Sequence, residues 1–222
     1  MGWIMKFTKE EARRIVLNCA KKYQQKLLNK MMLIIYRERR DHKVRSIEVA
    51  FYEKNYQHLT GVELVDKDGN IIHNQSVNFY RKCIENKLGS DEIQLKADGT
   101  AHLKLAALPV LMDVTKITKI TGEYNHVRPY LFVDKVMGGA NFCLGLSKED
   151  HTYVPSSALL EDIKKLVDEP SQVLAILEKE KDEKRYSTVK HVAKGLNLNH
   201  LSLPNEIGMA VNLENYVYRG KT

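Results

Sequence analysis

The sequence predicts an α+β fold in a single domain, because helical periodicity dominates its first half and strand patterns dominate its second half. Its 222 residues suit one domain of ordinary size, and a hydrophobic content of 43% can supply a sizeable core. No internal repeat or low-complexity linker divides the chain. We therefore expect one domain over residues 1–195, with residues 196–222 as an irregular tail packed on it.

The first predicted elements are a helix and two strands. Thr8 and Glu11 have the spacing of a capping box, and apolar residues then recur at helical intervals, which predicts a helix within residues 8–30. Met31–Tyr36 is an apolar run typical of a buried strand. Ile47–Phe51 alternates apolar and polar residues and predicts a half-buried strand.

The later elements follow from turn residues and periodicity. Two further helices are predicted to begin near Ser76 and Ala101. Four segments are predicted to be strands that meet largely as antiparallel neighbours: Tyr130–Val133, Asn141–Leu146, Gln172–Leu177 and Arg185–His191. Between them, Ser156 or Ser157 follows Pro155 and is predicted to cap another helix.

Composition limits the possible partners. The formal net charge of +7 favours a polyanion such as nucleic acid, although lysine-rich surfaces are also common among soluble proteins. The longest apolar run, Met31–Tyr36, is far shorter than the ~20 residues that span a bilayer, so we expect no membrane association. Cys19, Cys83 and Cys143 lie in apolar surroundings, which predicts reduced core thiols in a cytoplasmic protein.

The sequence contains no pattern typical of a dedicated metal site, since C-x-x-C, H-E-x-x-H and clustered carboxylates are all missing. We therefore expect no metal and no cofactor, and an enzyme that works with side chains alone.

The segment YQHLTGV, from Tyr56 to Val62, is the first candidate for a functional segment. It combines an imidazole at His58, a hydroxyl at Thr60 and a conformationally free residue at Gly61.

This segment is one of several short motifs whose order resembles a known family. The motifs are NYQHLTGV (Asn55–Val62), NFYRKCIENKL (Asn78–Leu88), KLAAL (Lys104–Leu108), FCLGL (Phe142–Leu146) and YVPSS (Tyr153–Ser157). Together with the last predicted hairpin they resemble the phage-associated branch of the barnase–EndoU–colicin–RelE nuclease superfamily, over roughly residues 31–191.

The resemblance implies a metal-independent ribonuclease fold, with helices packed on one face of a small, mostly antiparallel sheet. Members are often toxins in conflicts between phages and bacteria. We therefore expect a cytoplasmic endoribonuclease of toxin or phage-defence type. Its expected partners are RNA and an antitoxin or immunity protein.

RNA cleavage by the 2′-hydroxyl needs a base, an acid and a group that stabilises charge on the phosphate. His58 is our candidate base or acid, and Lys104 is the candidate for stabilising the phosphorane. Ser157 is expected to donate to a phosphate oxygen. Tyr186 is expected to be a second donor or to stack on a base.

Four other residues are expected to contact the substrate: Thr60, Tyr124, Arg128 and Tyr153. Two further histidines remain alternatives to His58, since His126 lies beside Tyr124 and Arg128, and His151 precedes Tyr153. Two other functions also remain open. One is a non-catalytic module that binds nucleic acid or protein and keeps the nuclease-like fold, and the other is a regulatory protein that binds a partner through its tail.

Overall fold

The computed structural model describes residues 6–127 and 130–218. Its helices are α1 (Lys9–Lys26), α2 (Glu53–Thr60), α3 (Ser76–Ile84), α4 (Thr100–Leu111), α5 (Val114–Ile117) and α6 (Asn205–Ala210). The predicted capping box begins α1, where the Glu11 amide donates to Thr8 Oγ1 at 3.2 Å and the Thr8 amide donates to Glu11 Oε2 at 2.8 Å. The helices predicted near Ser76 and Ala101 are confirmed as α3 and α4.

The strands are β1 (Lys30–Arg37), β2 (Val44–Ala50), β3 (Val62–Leu64), β4 (Ile93–Leu95), β5 (Ile120–Glu123), β6 (Lys135–Gly138), β7 (Cys143–Glu149), β8 (Thr152–Leu159), β9 (Ser171–Glu180) and β10 (Thr188–Val192). β3 and β4 form a small separate ladder. The other eight form one sheet in the order β1-β2-β8-β7-β6-β5-β9-β10, and β9 also pairs with β1. The final hairpin predicted from the sequence is confirmed as β9 and β10.

The α+β class is confirmed, but the expected small sheet is wrong. Eight strands form the main sheet within the described residues, and β2 runs parallel to β8 through the pair Val49 and Tyr153. The sheet is therefore large and mixed. The helix–hairpin pattern of the sequence did not reveal β5, which supplies part of the additional width.

Two local predictions in the second half are also wrong. Tyr130–Val133 has no regular structure, and the strand of this region begins at Lys135 instead. Ser156 and Ser157 do not cap a helix, because they lie inside β8, which continues through Pro155. Only a single turn of 3₁₀-helix, Ile163–Lys165, follows it.

Helices α1 to α4 cover one face of the sheet, and α6 lies against the other. The main core joins side chains of α1 to α4 to alternate residues of β1. Two of these residues, Met32 and Ile34, are fully buried. The intervening residues of β1, Leu33 and Ile35, face the other side, where they pack against Leu198 and residues of α6. β1 is thus buried on both faces, which explains its continuous apolar sequence.

A third cluster lies beneath the loop that leads from β5 to β6 and contains Tyr124, Val133 and Val136.

The three cysteines are buried and form no disulfide. Burial raises the pKa of the Cys83 thiol to about 12, so this group stays protonated at neutral pH. Within the described residues, every helix is too short or too polar to cross a membrane.

Candidate active site

The candidate site is a cleft of about 500 Å³ between helices α2 and α4 on one side and strand β8 on the other. The loop 130–133 and the end of β7 complete its rim. The polar side chains that line it are Lys54, Asn55, His58, Lys96, Asp98, Thr100, Lys104, Tyr130, Ser147, Glu149, Ser156 and Ser157. Three of the four predicted catalytic residues, His58, Lys104 and Ser157, therefore share one cleft.

Packing of α2 determines which of its residues face the cleft. Tyr56 and Leu59 are fully buried, and the Tyr56 hydroxyl donates to the Val16 carbonyl at 2.6 Å, which fixes α2 on α1. His58 lies between them in sequence, about 100° round the helix from Leu59, and is exposed. The apolar face of α2 thus directs the imidazole outward into the cleft.

Gly61 brings the end of α2 against the start of α4. It caps α2 in the left-handed conformation with φ of 68°, and a Cβ at this position would lie 2.6 Å from Ala101 Cα. The Thr60 hydroxyl closes the same turn by donating to the Gln57 carbonyl at 2.7 Å and accepting from the Val62 amide at 3.0 Å. This close approach places His58 beside Lys104.

Gly61→Ala is expected to lower the free energy of unfolding by about 2–5 kcal/mol, combining left-handed strain with overlap against Ala101. Gly69→Ala is the matched control, since Gly69 has φ of 85° but no atom within 4 Å of an added Cβ. In this control only the left-handed strain acts, so the free energy of unfolding should fall by about 1–2 kcal/mol. Urea denaturation of both variants measures the difference, and equal losses would contradict the packing argument.

Lys104 is held at the carboxyl end of α2. Its Nζ donates to the His58 carbonyl oxygen at 2.8 Å, where the helix dipole favours a cation. Desolvation and then repulsion from Lys96 lower the pKa of Lys104, and the charge of Asp98 opposes this shift. Because Lys104 bonds a neutral carbonyl here, its positive charge is not neutralised by this contact.

The environment also alters His58. Desolvation, followed by the positive charges of Lys104, Lys96 and Lys54, lowers the pKa of its imidazole below the ordinary value of 6.5. The ring is therefore mostly neutral at pH 7. A neutral imidazole accepts a proton, which suits a general base.

A change of register in β8 directs two consecutive serines into the cleft. Gly145 pairs with Ser157 and Leu146 with Pro155, so the backbone of Ser156 is skipped in the register between β8 and β7. Successive residues of a regular strand face opposite sides, and a bulge is the usual way to redirect them. Ser156 shares a 2.6 Å hydrogen bond with Ser147, whereas Ser157 Oγ is buried and has no hydrogen-bond partner within the described chain.

The unpartnered Ser157 hydroxyl makes the cleft a candidate ligand site. Only 6% of Ser157 is exposed, and a buried hydroxyl without a partner costs about 1–3 kcal/mol. A ligand oxygen bound in the cleft would recover this energy by accepting the hydrogen bond. The neighbouring acids are already engaged, since Asp98 accepts from the Thr100 hydroxyl at 2.7 Å and Glu149 pairs with Lys54 at 2.7 Å.

Tyr186 does not reach this cleft. It is 1% exposed and belongs to the cluster on the opposite face of β1, where its hydroxyl donates to Glu48 Oε1 at 2.8 Å. Burial, and then the bond to Glu48, raise the pKa of its phenol far above the ordinary range. The structure therefore does not bring Tyr186 together with His58, Lys104 and Ser157.

Three of the four expected substrate contacts, Thr60, Tyr124 and Tyr153, also lie outside the cleft. Thr60 is fully buried in the turn after α2, and Tyr153 packs against the main core outside the cleft. Tyr124 is 4% exposed and accepts from the Leu131 amide at 3.2 Å, so it supports the loop that forms the rim. Arg128 lies outside the described residues.

None of the alternative histidines in the described chain lines the cleft. His126 and His151 are exposed elsewhere, in the loop after β5 and in the turn between β7 and β8. His102, on α4, accepts from the Phe7 amide at 2.9 Å through Nδ1 and is engaged in holding the N-terminal segment. Of the histidines in the described residues, His58 is the one placed beside the cleft lysines.

Sequence reasoning missed Lys54, Lys96, Ser156, Tyr130 and Phe132 as cleft residues. Lys54 precedes His58 by one turn of α2, a spacing that could have indicated it. Lys96 directly follows β4 and reaches the cleft only because of the tertiary fold, which no local sequence pattern indicates.

Among the described residues, no group of three or more His, Cys, Asp or Glu is arranged to hold a metal ion.

Comparison with known proteins adds a family assignment to this geometry. The family model described as phage-Barnase-EndoU-ColicinE5/D-RelE like nuclease4 matches residues 15–195. No curated protein and no solved structure matches the chain. The matched residues extend from within α1 to beyond β10 and include every residue that lines the cleft. The resemblance inferred from the short motifs is thereby confirmed, and the chain belongs to this phage-associated family of barnase-, EndoU-, colicin- and RelE-like nucleases.

Proposed function

We propose that the chain is a metal-independent endoribonuclease that cleaves RNA by attack of a 2′-hydroxyl on the adjacent phosphate. The observation that supports this most strongly is the convergence of His58, Lys104 and the unpartnered Ser157 hydroxyl in one cleft. These groups supply a base, a cation and a neutral donor, which is the set that the reaction requires. Membership of the nuclease family supports the same assignment.

His58 is the general base in this scheme. Its lowered pKa keeps the imidazole neutral, so it can take the proton from the 2′-hydroxyl as the oxygen bonds to phosphorus. The bond from phosphorus to the 5′-oxygen then breaks. The departing 5′-oxygen takes a proton from Lys104, so the products are a 2′,3′-cyclic phosphate and a 5′-hydroxyl. The His58 imidazolium then loses its proton to solvent, and the Lys104 amine regains one from solvent.

Lys104 and Ser157 act on the phosphate. The Lys104 ammonium offsets the negative charge that develops on the phosphorane, and its lowered pKa makes it a better acid for the leaving 5′-oxygen. The Ser157 hydroxyl donates to a non-bridging oxygen and gains the partner it otherwise lacks. Lys96 adds positive potential to the cleft and favours approach of the phosphate backbone, whereas the charge of Lys54 is largely balanced by Glu149.

The scheme predicts a pH dependence that responds to Lys96. Cleavage requires neutral His58, so kcat/KM should rise with pH through the His58 pKa, at more acidic pH than for an ordinary imidazole. Lys96→Gln removes one of the charges that lower this pKa. The acidic limb of the profile should therefore move to higher pH, whereas Lys21→Gln, on the exposed surface of α1, should leave it in place. A shift to lower pH would contradict the assignment.

The proposed chemistry is tested by comparing single-stranded RNA with the same oligonucleotide carrying 2′-O-methyl riboses throughout. We expect cleavage of the unmodified RNA to cyclic-phosphate ends, and an intact methylated oligonucleotide that still binds. Cleavage of the methylated strand would rule out 2′-hydroxyl attack. Binding of both strands without cleavage of either would favour the alternative, a nucleic-acid-binding module that keeps the nuclease fold.

A further inference from the structure

An aromatic side chain stands in solvent at the rim of the cleft. Phe132 is 97% exposed and lines the cleft together with Tyr130, which is 72% exposed. A phenyl ring left in water forgoes the favourable free energy that its burial would contribute. Neighbouring apolar residues of the same loop do become buried, since Val133 is 7% exposed.

The backbone beneath Phe132 is anchored on several sides. The Phe132 carbonyl accepts from Ser147 Oγ at 3.1 Å, and the Asp134 amide donates to the Leu146 carbonyl at 2.8 Å. Val133 packs tightly over Gly145, where an added Cβ would lie 2.8 Å from Val133 Cγ1. These contacts hold the loop on β7, so the exposed ring projects from a supported backbone.

The anchor also ties the ring to the catalytic groups. Ser147, which holds the Phe132 carbonyl, shares its other hydrogen bond with Ser156, the residue next to Ser157. The cleft thus presents an aromatic surface beside a phosphate-binding set of serines and lysines. A ligand that combines a flat π-face with an attached phosphate fits this arrangement, and a nucleotide of RNA has both.

We propose that Phe132, assisted by Tyr130, is a stacking platform for a nucleobase next to the scissile phosphate. The proposal rests on the proposed ribonuclease function and deepens it. Bases in a duplex are stacked on their neighbours and present no free face to a protein side chain. An unpaired base, by contrast, can swing out and lie on the exposed ring.

The test measures binding rather than cleavage, with two probes: a single-stranded 2′-O-methyl oligonucleotide and inorganic polyphosphate, which has charge but no base. Phe132→Ala should bind the oligonucleotide about 5- to 150-fold more weakly, the effect of removing one base–aromatic stack. Its affinity for polyphosphate should equal that of the wild type, since the lysines are unchanged. Phe132→Trp should retain oligonucleotide binding.

Tyr218→Ala is the control for loss of an exposed aromatic residue outside the cleft, since Tyr218 is 42% exposed. It should bind both probes as the wild type does. Wild-type affinity of Phe132→Ala for the oligonucleotide, or an equal loss for both probes, would overturn the platform. Failure of the wild type to bind the oligonucleotide would overturn it as well. So would equally tight wild-type binding of a third probe, the duplex that the same oligonucleotide forms with its complement.

Cleavage of unmodified RNA, assayed in parallel, separates the two proposals. A wild type that cleaves while Phe132→Ala binds normally would refute the platform alone. A wild type that does not cleave while Phe132→Ala loses oligonucleotide affinity would refute the ribonuclease and retain the base-binding site.

Discussion

His58→Ala is expected to lower kcat/KM for RNA cleavage by about 10²- to 10⁴-fold, the usual contribution of a proton-transfer group. The imidazole is the group in the described cleft whose lowered pKa suits it to accept the 2′-hydroxyl proton. Because His58 is exposed and its side chain supports no packing of α2, the variant should unfold at nearly the wild-type temperature. Binding of a methylated oligonucleotide should also persist.

His151→Ala serves as the matched control, since His151 is an exposed histidine in the turn between β7 and β8. Its kcat/KM should equal that of the wild type. Equal activity of His58→Ala and the wild type would remove His58 from the chemistry. A large loss in His151→Ala instead would place the active site at the other end of β8.

Lys104→Met is expected to reduce kcat by about 10²- to 10³-fold, comparable to loss of one donor that stabilises transition-state charge. Methionine keeps an unbranched apolar side chain, shorter by the terminal nitrogen, and so removes the ammonium that bonds the His58 carbonyl. The effect should appear in kcat more than in KM, because the charge on the phosphate grows toward the transition state.

Lys116→Met is the control for loss of one positive charge, since Lys116 is exposed on α5 outside the cleft. It should change salt dependence slightly and leave kcat unaltered. An equal fall in both variants would mean that Lys104 contributes only to general attraction. A rise in KM at constant kcat would assign Lys104 to substrate binding.

Local signals predicted the first half of the fold well. The capping box of Thr8 and Glu11, the apolar run of β1 and the periodic stripes of α3 and α4 are each complete within a short window. The second half depends on pairing over long sequence distances. Ser156 and Ser157 follow a proline and look like helix caps, yet hydrogen bonding to β7 keeps them in a strand.

The sequence predicted those candidate-site residues that combine suitable chemistry with a recognisable local segment. Lys104 is a charged residue in an otherwise apolar segment, His58 lies in the motif YQHLTGV, and contact at Gly61 brings the two together. Tyr186 has equally suitable chemistry, but it lies on the opposite face of the sheet, and the sequence does not reveal which face a distant strand presents. Phe132 was hidden because the run Tyr130–Val133 has the composition of a buried strand, whereas the loop buries Val133 and exposes the phenyl ring.

The most direct test of the central claim is incubation of the wild-type protein and His58→Ala with total RNA in excess EDTA, followed by analysis of the fragment ends. We predict that the wild type produces fragments ending in 2′,3′-cyclic phosphate or 3′-phosphate. His58→Ala should leave the RNA largely intact under the same conditions. Cleavage that requires a divalent metal ion, or that proceeds equally in His58→Ala, would contradict a metal-independent site built around this histidine.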